Sequence, residues 1–277
     1  MSLWKKTTVL AVSTLTAVAL TACGSKPDVD APAQASVLEL LASDLKGSLQ
    51  KTVDATSKSD SVTVKMQGTA GGEKISVQGV VDLGDPFKAE MTTPGEDGAP
   101  TVVRMVGGVI YVEIPEKERA SLGGKRWMKL DLSAAGDQSG MNFSKQFEDV
   151  DPTKQVKTLL ATEGVTVVGE ETVNGARTVH YTVTAPVATY LGQLDAKLRA
   201  GVEAEYAKQG IKDIKIDLWV DEQYQPRRAG MNMGKMGEFT VDYTDYGKPV
   251  NIETPAPAET ADFAEMLKGL KDLPTSN

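Results

Sequence analysis

The sequence predicts an α+β fold: a large, strongly curved antiparallel sheet with helices on its concave side. Three observations carry this expectation. Most of the chain after Ser57 shows two-residue alternation of apolar and polar side chains, the signature of half-buried strands. The joints between these runs are rich in Gly, Asp and Pro (AGGE, LGDP, TPGEDGAP), as hairpin turns require. Helical periods occur in only a few places and do not alternate one-for-one with strands, which argues against a parallel doubly wound sheet. About eleven strands and four or five helices result.

Taken in order, Val37, Leu38, Leu41, Leu45, Leu49 and Val53 recur at helical spacing and predict an amphipathic helix over 36–56. Val62, Val64 and Met66 then alternate with Thr63, Lys65 and Gln67, and Ile75 and Val77 alternate with Lys74, Ser76 and Gln78. Phe87, Ala89 and Met91 follow, then TVVRMVGG, VIYVEIP and, at 125–132, KRWMKLDL. Asp151 reads as a helix N-cap with Pro152 at the first helical position, and Val156, Leu159 and Leu160 supply that helix's apolar face. Strands resume around Asn174-Gly175, a short hairpin signal. Leu191, Leu194, Leu198, Val202 and Tyr206 mark a long helix over 187–209 that Gly210 stops. Three or four strands follow from Ile211 to Pro255, and Phe263, Met266, Leu267 and Leu270 predict a short terminal helix.

Composition narrows the chemistry. The 277 residues hold 30 basic and 38 acidic side chains, one His and one Cys, with a formal charge of −8. Such a chain offers no general attraction for nucleic acid. A single Cys excludes an internal disulfide and a Cys-rich zinc site. His180 alternates with Val179 and Tyr181 on a strand and reads as structural, because a catalytic His needs a poised nucleophile and an orienting carboxylate. No Gly-x-Ser-x-Gly elbow or phosphate-cradling loop is present. Asp242 and Asp245 lack the dense oxygen pattern of a calcium loop. Arg227-Arg228 reads either as a basic edge turn or as a contact to a lipid phosphate. No enzyme activity, metal or cofactor is expected.

The lone Cys is the most informative residue. Lys5 and Lys6 precede an apolar or small run from about Val9 to Ala22, which has the length and flank of a secretory signal peptide and is too short for an ordinary membrane span. The run ends in Leu20-Thr21-Ala22-Cys23, which resembles a bacterial lipobox. That resemblance implies cleavage before Cys23 and a covalent diacylglycerol on its sulfur, with acylation of the new amine. Loss of Lys5 and Lys6 takes the formal charge from −8 to −10. The lipid, and not charge, then holds the protein at an anionic leaflet. The expected organisation is a signal peptide over 1–22, a lipidated tether over 23–36, and one domain over 37–277 with a helical extension from about 257.

Methionine is frequent: 10 Met against five Phe and three Trp. Met66, Met91, Met105 and Met128 fall in strands, and Met231, Met233 and Met236 cluster in one hairpin. Flexible Met side chains suit either an irregular core or a surface that accepts variable apolar partners. Extracting a lipid chain of roughly 15 methylenes from a bilayer costs on the order of 12 kcal/mol, so a carrier needs a deep apolar cavity. Val62, Val64, Ile75, Val77, Phe87 and Met91 are candidate walls, with Leu191, Leu194 and Leu198 on a covering helix. Their spacing is equally that of a solid core.

The whole pattern resembles the actinobacterial cell-envelope lipoproteins of the LppX/LprAFG family, whose architecture is similar to carriers and receptors of the LolA/LolB type. The resemblance runs from Cys23 to about Pro255. It rests on the lipobox, the helix before Ser61-Val62-Thr63-Val64, and the Trp127-Met128-Lys129-Leu130 strand. It also rests on Ile216-Asp217-Leu218-Trp219-Val220-Asp221 with Pro226-Arg227-Arg228, and on Phe239 through Val250. It implies a LolA/LolB-like half-barrel sheet around an apolar cavity on the outer face of the cytoplasmic membrane. It also implies binding and transfer of acylated envelope lipids or lipoglycans, with the membrane and a membrane transporter as candidate partners. The alternative expectation is an anchored envelope sensor or assembly factor that uses the fold for protein contacts. An acyl-chain hydrolase would require a buried Ser and an acid beside His180.

Overall fold

The computed structural model describes residues 36–95, 98–131, 150–191, 199, 203–204 and 206–266. The predicted first helix is in fact two: α1 (Val37–Ser43) and α2 (Leu45–Thr56). Ser36 and Glu39 form a reciprocal capping box at the start of α1. The break falls at Asp44, whose N–H donates to the Leu40 carbonyl while its carboxylate accepts from the Gly47 N–H at 3.0 Å. One residue thus ends the first helix with its backbone N–H and caps the second with its side chain.

The strands are β1 (Ser61–Ala70), β2 (Glu73–Asp82), β3 (Lys88–Pro94), β4 (Pro100–Val106), β5 (Val109–Glu113) and β6 (Trp127–Leu130). A single-turn helix, α3 (Glu116–Arg119), separates the last two. The predicted Asp151 cap is present on α4 (Pro152–Ala161), its carboxylate accepting from the Thr153 N–H at 2.8 Å. Then come β7 (Thr166–Val173), β8 (Ala176–Pro186), α5 (Val187–Leu191), β9 (Asp213–Asp221), β10 (Pro226–Asn232), β11 (Gly237–Thr244) and β12 (Thr260–Asp262). Asn174 and Gly175 both take positive φ (49° and 81°), the geometry of the tight hairpin their sequence signals.

All twelve strands form one sheet in the order β12-β6-β5-β4-β3-β2-β1-β11-β10-β9-β8-β7. This corrects the expected half-barrel. The sheet is open, with β12 and β7 as separate edges, it is not strongly curved, and it is mixed because β12 runs parallel to β6. The physical reason is the last crossing. The stretch 248–255, expected as a strand, is irregular and carries the chain from the centre of the sheet to its far edge. Ile252 is buried along it, Arg104 donates to the Glu253 carbonyl at 3.2 Å, and Lys125 donates to the Ala258 carbonyl at 2.7 Å. A chain arriving this way meets β6 in the parallel sense, and β12 covers an edge that would otherwise be open to other strands. The terminal helix accordingly begins at Phe263, after β12; Leu267 and Leu270 lie outside the described residues.

Strand alternation gives the sheet two unlike faces. One carries Val62, Val64 and Met66 of β1, Val81 and Val77 of β2, Tyr243 and Val241 of β11, Leu218 and Ile216 of β9, and Tyr181 and Val183 of β8, matched across the strand registers. Helices cover this face: Leu38, Leu41, Leu49, Val53, Val156, Leu159 and Leu191 join the strand residues in one buried cluster. The Tyr181 hydroxyl donates to the Leu41 carbonyl at 2.7 Å, pinning α1 to β8. The other face is polar.

Candidate functional site: the methionine-rich end of the apolar face

Along the central strands the apolar face changes character from one end to the other. Val62, Val64, Val81, Tyr243 and Ala229 are buried. Further along the same strands Met66, Val77, Val241 and Met231 are half-buried and pack against the edge of that cluster, as do Met233 and Met236 in the β10–β11 connection. Ile75 and Phe239 are half-buried in the same rows. In those rows β8 and β9 stay buried (Tyr181, Val183, Leu218, Ile216), so the thinning is local to β1, β2, β10 and β11. The Tyr206 hydroxyl reaches the Met233 sulfur at 3.0 Å. Methionine at four of these positions supplies apolar area that can repack around differently shaped partners.

The predicted walls divide accordingly. Val62, Val64, Met91 and Leu191 are buried in the core cluster and touch protein, as a solid core does. Val77 and Phe87 pack at its margin, and Ile75 is half-buried. Leu194 and Leu198 lie outside the described residues, as do the lipidation residue Cys23 and its flank Leu20, Thr21 and Ala22. The described surface carries open depressions. One of about 470 Å³ lies on the polar face, and one of about 690 Å³ lies beside α3, lined by Glu113, Ile114 and Pro115 among others. Of the predicted walls that are described, only Val64 borders the first and none borders the second.

Buried hydroxyls are a feature the sequence did not reveal. Tyr243 is wholly buried in the core cluster, and its hydroxyl has no partner among the described residues, nor does that of Thr56. Burial pushes the Tyr243 phenol well above its ordinary pKa, so it stays protonated, a donor without an acceptor.

On the polar face, His180 is held between two carboxylates, Glu171 on Nδ1 at 2.9 Å and Asp217 on Nε2 at 2.8 Å. Its ring stacks on Trp219, with centroids 4.1 Å apart, and the indole N–H donates to Glu171 at 2.8 Å. Hydrogen bonds from Trp219 and then His180 hold the Glu171 carboxyl below its usual range. Burial raises Asp217, but hydrogen bonds from Thr182, His180 and Lys215 outweigh it, and its carboxyl also titrates low. With both ring nitrogens occupied by carboxylates, His180 has none left to activate a serine, so the hydrolase arrangement is not formed. Sequence reading places His180 as structural but misses its partners, because Glu171 and Asp217 are 9 and 37 residues away.

The arginine pair is also consumed internally. Arg227 pairs with the buried Asp221, and Arg228 holds Asp242 through two bonds at 2.6 and 3.0 Å. Both arginines lie on β10, an interior strand and not an edge, and these pairs leave neither guanidinium unengaged for a lipid phosphate. Asp245 pairs with Lys248 at 2.7 Å, and no cluster of three or more His, Cys, Asp or Glu able to hold a metal exists among the described residues. No described helix is long and apolar enough to cross a membrane.

No protein-family model matches the chain. The crystal structure of the lipoprotein LppX of Mycobacterium tuberculosis superposes with a TM-score of 0.52 at 20% identity, covering 76% of this chain and 98% of that one. LprF of Mycobacterium bovis gives 0.50 at 15% identity, covering 77% and 97%. These two share its fold. By sequence, the chain is 28% identical over 262 residues to a Streptomyces coelicolor protein named "putative lipoprotein", covering 88% of this chain and 83% of that protein. It is 31% identical over 235 residues to a 31.2 kDa protein of the rplA–rplJ intergenic region of Streptomyces griseus, covering 80% and 76%. The chain belongs to the family of that Streptomyces griseus protein.

Proposed function

We propose that the protein is an extracytoplasmic lipoprotein, anchored by a diacylglycerol on Cys23, that takes acyl chains of envelope lipids or lipoglycans against the apolar face of its sheet and passes them on. The supporting observation is the methionine-rich end of that face, where Met66, Val77, Val241, Met231, Met233 and Met236 stay half-buried beside a tightly packed core. Apolar area left incompletely covered is a standing cost in water, and an acyl chain laid along it removes that cost on both partners. The likeness in fold to the lipoproteins LppX and LprF, and the relative named a lipoprotein, support the anchored, envelope-facing setting. Displacement of a fluorescent acyl lipid from the detergent-free protein tests the reading. Saturable displacement that weakens several-fold in Met66→Asp supports it, and no uptake by folded protein contradicts it.

The tight packing of Val62, Val64, Val81 and Leu218 favours one second reading, an anchored sensor or assembly factor with a filled interior. That reading puts the methionine-rich end against a protein, and predicts no lipid in the purified chain.

A further inference from the structure

We propose that the polar face carries a second site, for a neutral, hydroxyl-rich carbohydrate. The site is the open depression of about 470 Å³ formed by β1, β2, β3 and β11. Its volume falls within the roughly 300–1,000 Å³ of small-ligand sites. The depression lies on the face opposite the methionine-rich end, so the inference does not rest on lipid binding.

Polar side chains predominate in the lining, with Val64, Gly79 and Val80 interspersed among them. Thr63, Lys65, Gln78, Thr92 and Thr244 project from neighbouring strands, and Asn174 contributes from the β7–β8 turn. Cross-strand registers make this a continuous patch: Gln78 faces Lys65, Thr63 faces Thr244, Lys65 faces Asp242, and Gln78 faces Thr92. None of the six side chains makes a hydrogen bond or ion pair among the described residues. Their neighbours on the same face do: Glu90 with Arg104, Arg228 with Asp242, Lys88 with Asp82. Hydroxyl and amide groups that donate and accept are thus gathered unpaired in one concavity, while the charges around them are matched.

That inventory selects the ligand class. Three hydroxyls and two carboxamides can each donate and accept, which matches the alternating demands of sugar hydroxyls. A phosphate would want several free cations; only Lys65 is present, and it faces Asp242. A divalent cation would want several free carboxylates; Asp242 is the one in the lining, and Arg228 already occupies both its oxygens. An acyl chain would want a continuous apolar lining, and here Val64 and Val80 are separated by polar neighbours.

The test is amide chemical-shift mapping on the folded, detergent-free chain with neutral oligosaccharides of mannose, galactose and glucose, and separately with sodium phosphate. Expected are saturable shifts centred on 63–65, 78–80, 92, 174 and 242–244. Gln78→Ala and Asn174→Gly should each weaken the affinity tenfold or more; glycine keeps the positive φ of the turn, so at least that variant keeps its fold. Absence of shifts with all three sugars, unchanged affinity in both variants, or the same shifts from phosphate alone would overturn the proposal. Loss of acyl-lipid uptake would leave these sugar shifts in place, so the two readings fail separately.

Discussion

The two ends of the same central strands behave differently. At one end β1, β2 and β11 bury Val62, Val64, Val81 and Tyr243 beneath helices; at the other, Met66, Val77 and Val241 are only partly covered. Strand geometry and register are continuous through both ends. Valines stand at both ends, and flexible methionines join them where the packing thins. The first end holds the domain together, and the second leaves apolar area incompletely covered.

Four substitutions or conditions sharpen this contrast. Leu218→Ala, in the closed region, should cost about 2–5 kcal/mol by leaving a cavity in packed core, read as a lowered denaturation midpoint. Acid should come next. Glu171 and Asp217 have folded-state pKa values below their ordinary ones, so they contribute stability that is complete above about pH 4 and is lost as pH falls through their folded values. Unfolding midpoints followed from pH 6 to pH 2 should therefore drop more steeply in the wild type than in a Glu171→Gln, Asp217→Asn double variant. Met66→Ala, in the thin region, should cost only about 1 kcal/mol, because part of the side chain is already in water, yet should weaken acyl-lipid uptake. Leu218 and Met66 share one row across the sheet, so equal costs would erase the distinction between its closed and thin parts. Smallest is Tyr243→Phe, which removes a buried unpaired hydroxyl and should be neutral or stabilise by up to about 1 kcal/mol in urea melts. A large loss there would mean that the hydroxyl has a partner in solution.

Much of the secondary structure was legible because it is encoded locally. The Asp151-Pro152 helix start and the Asn174-Gly175 hairpin are set by residues adjacent in the chain, and both are present. The split at Asp44 was hidden because the apolar spacing continues across it unbroken, although Asp44 ends one helix with its backbone and caps the next with its carboxylate. Sheet shape was misread for a different reason. Alternation reports which side of a strand is apolar, but not whether edges close or where the chain crosses; the 248–255 crossing and parallel β12 depend on contacts with β4 and β6 more than 100 residues earlier. The candidate site was half legible. The methionine excess marks the strands where the apolar face thins, whereas several predicted walls lie in the core, because periodicity is the same for a wall and for a filling. The cage around His180 was illegible, since three strands bring its partners together.

Native mass spectrometry of the mature chain, purified without detergent from its own envelope, tests the central claim most directly. The account predicts a folded protein carrying acyl lipid in addition to its covalent anchor, with that lipid lost when Met66 and Met231 are replaced by Asp. A folded wild-type chain that carries its anchor alone would contradict it.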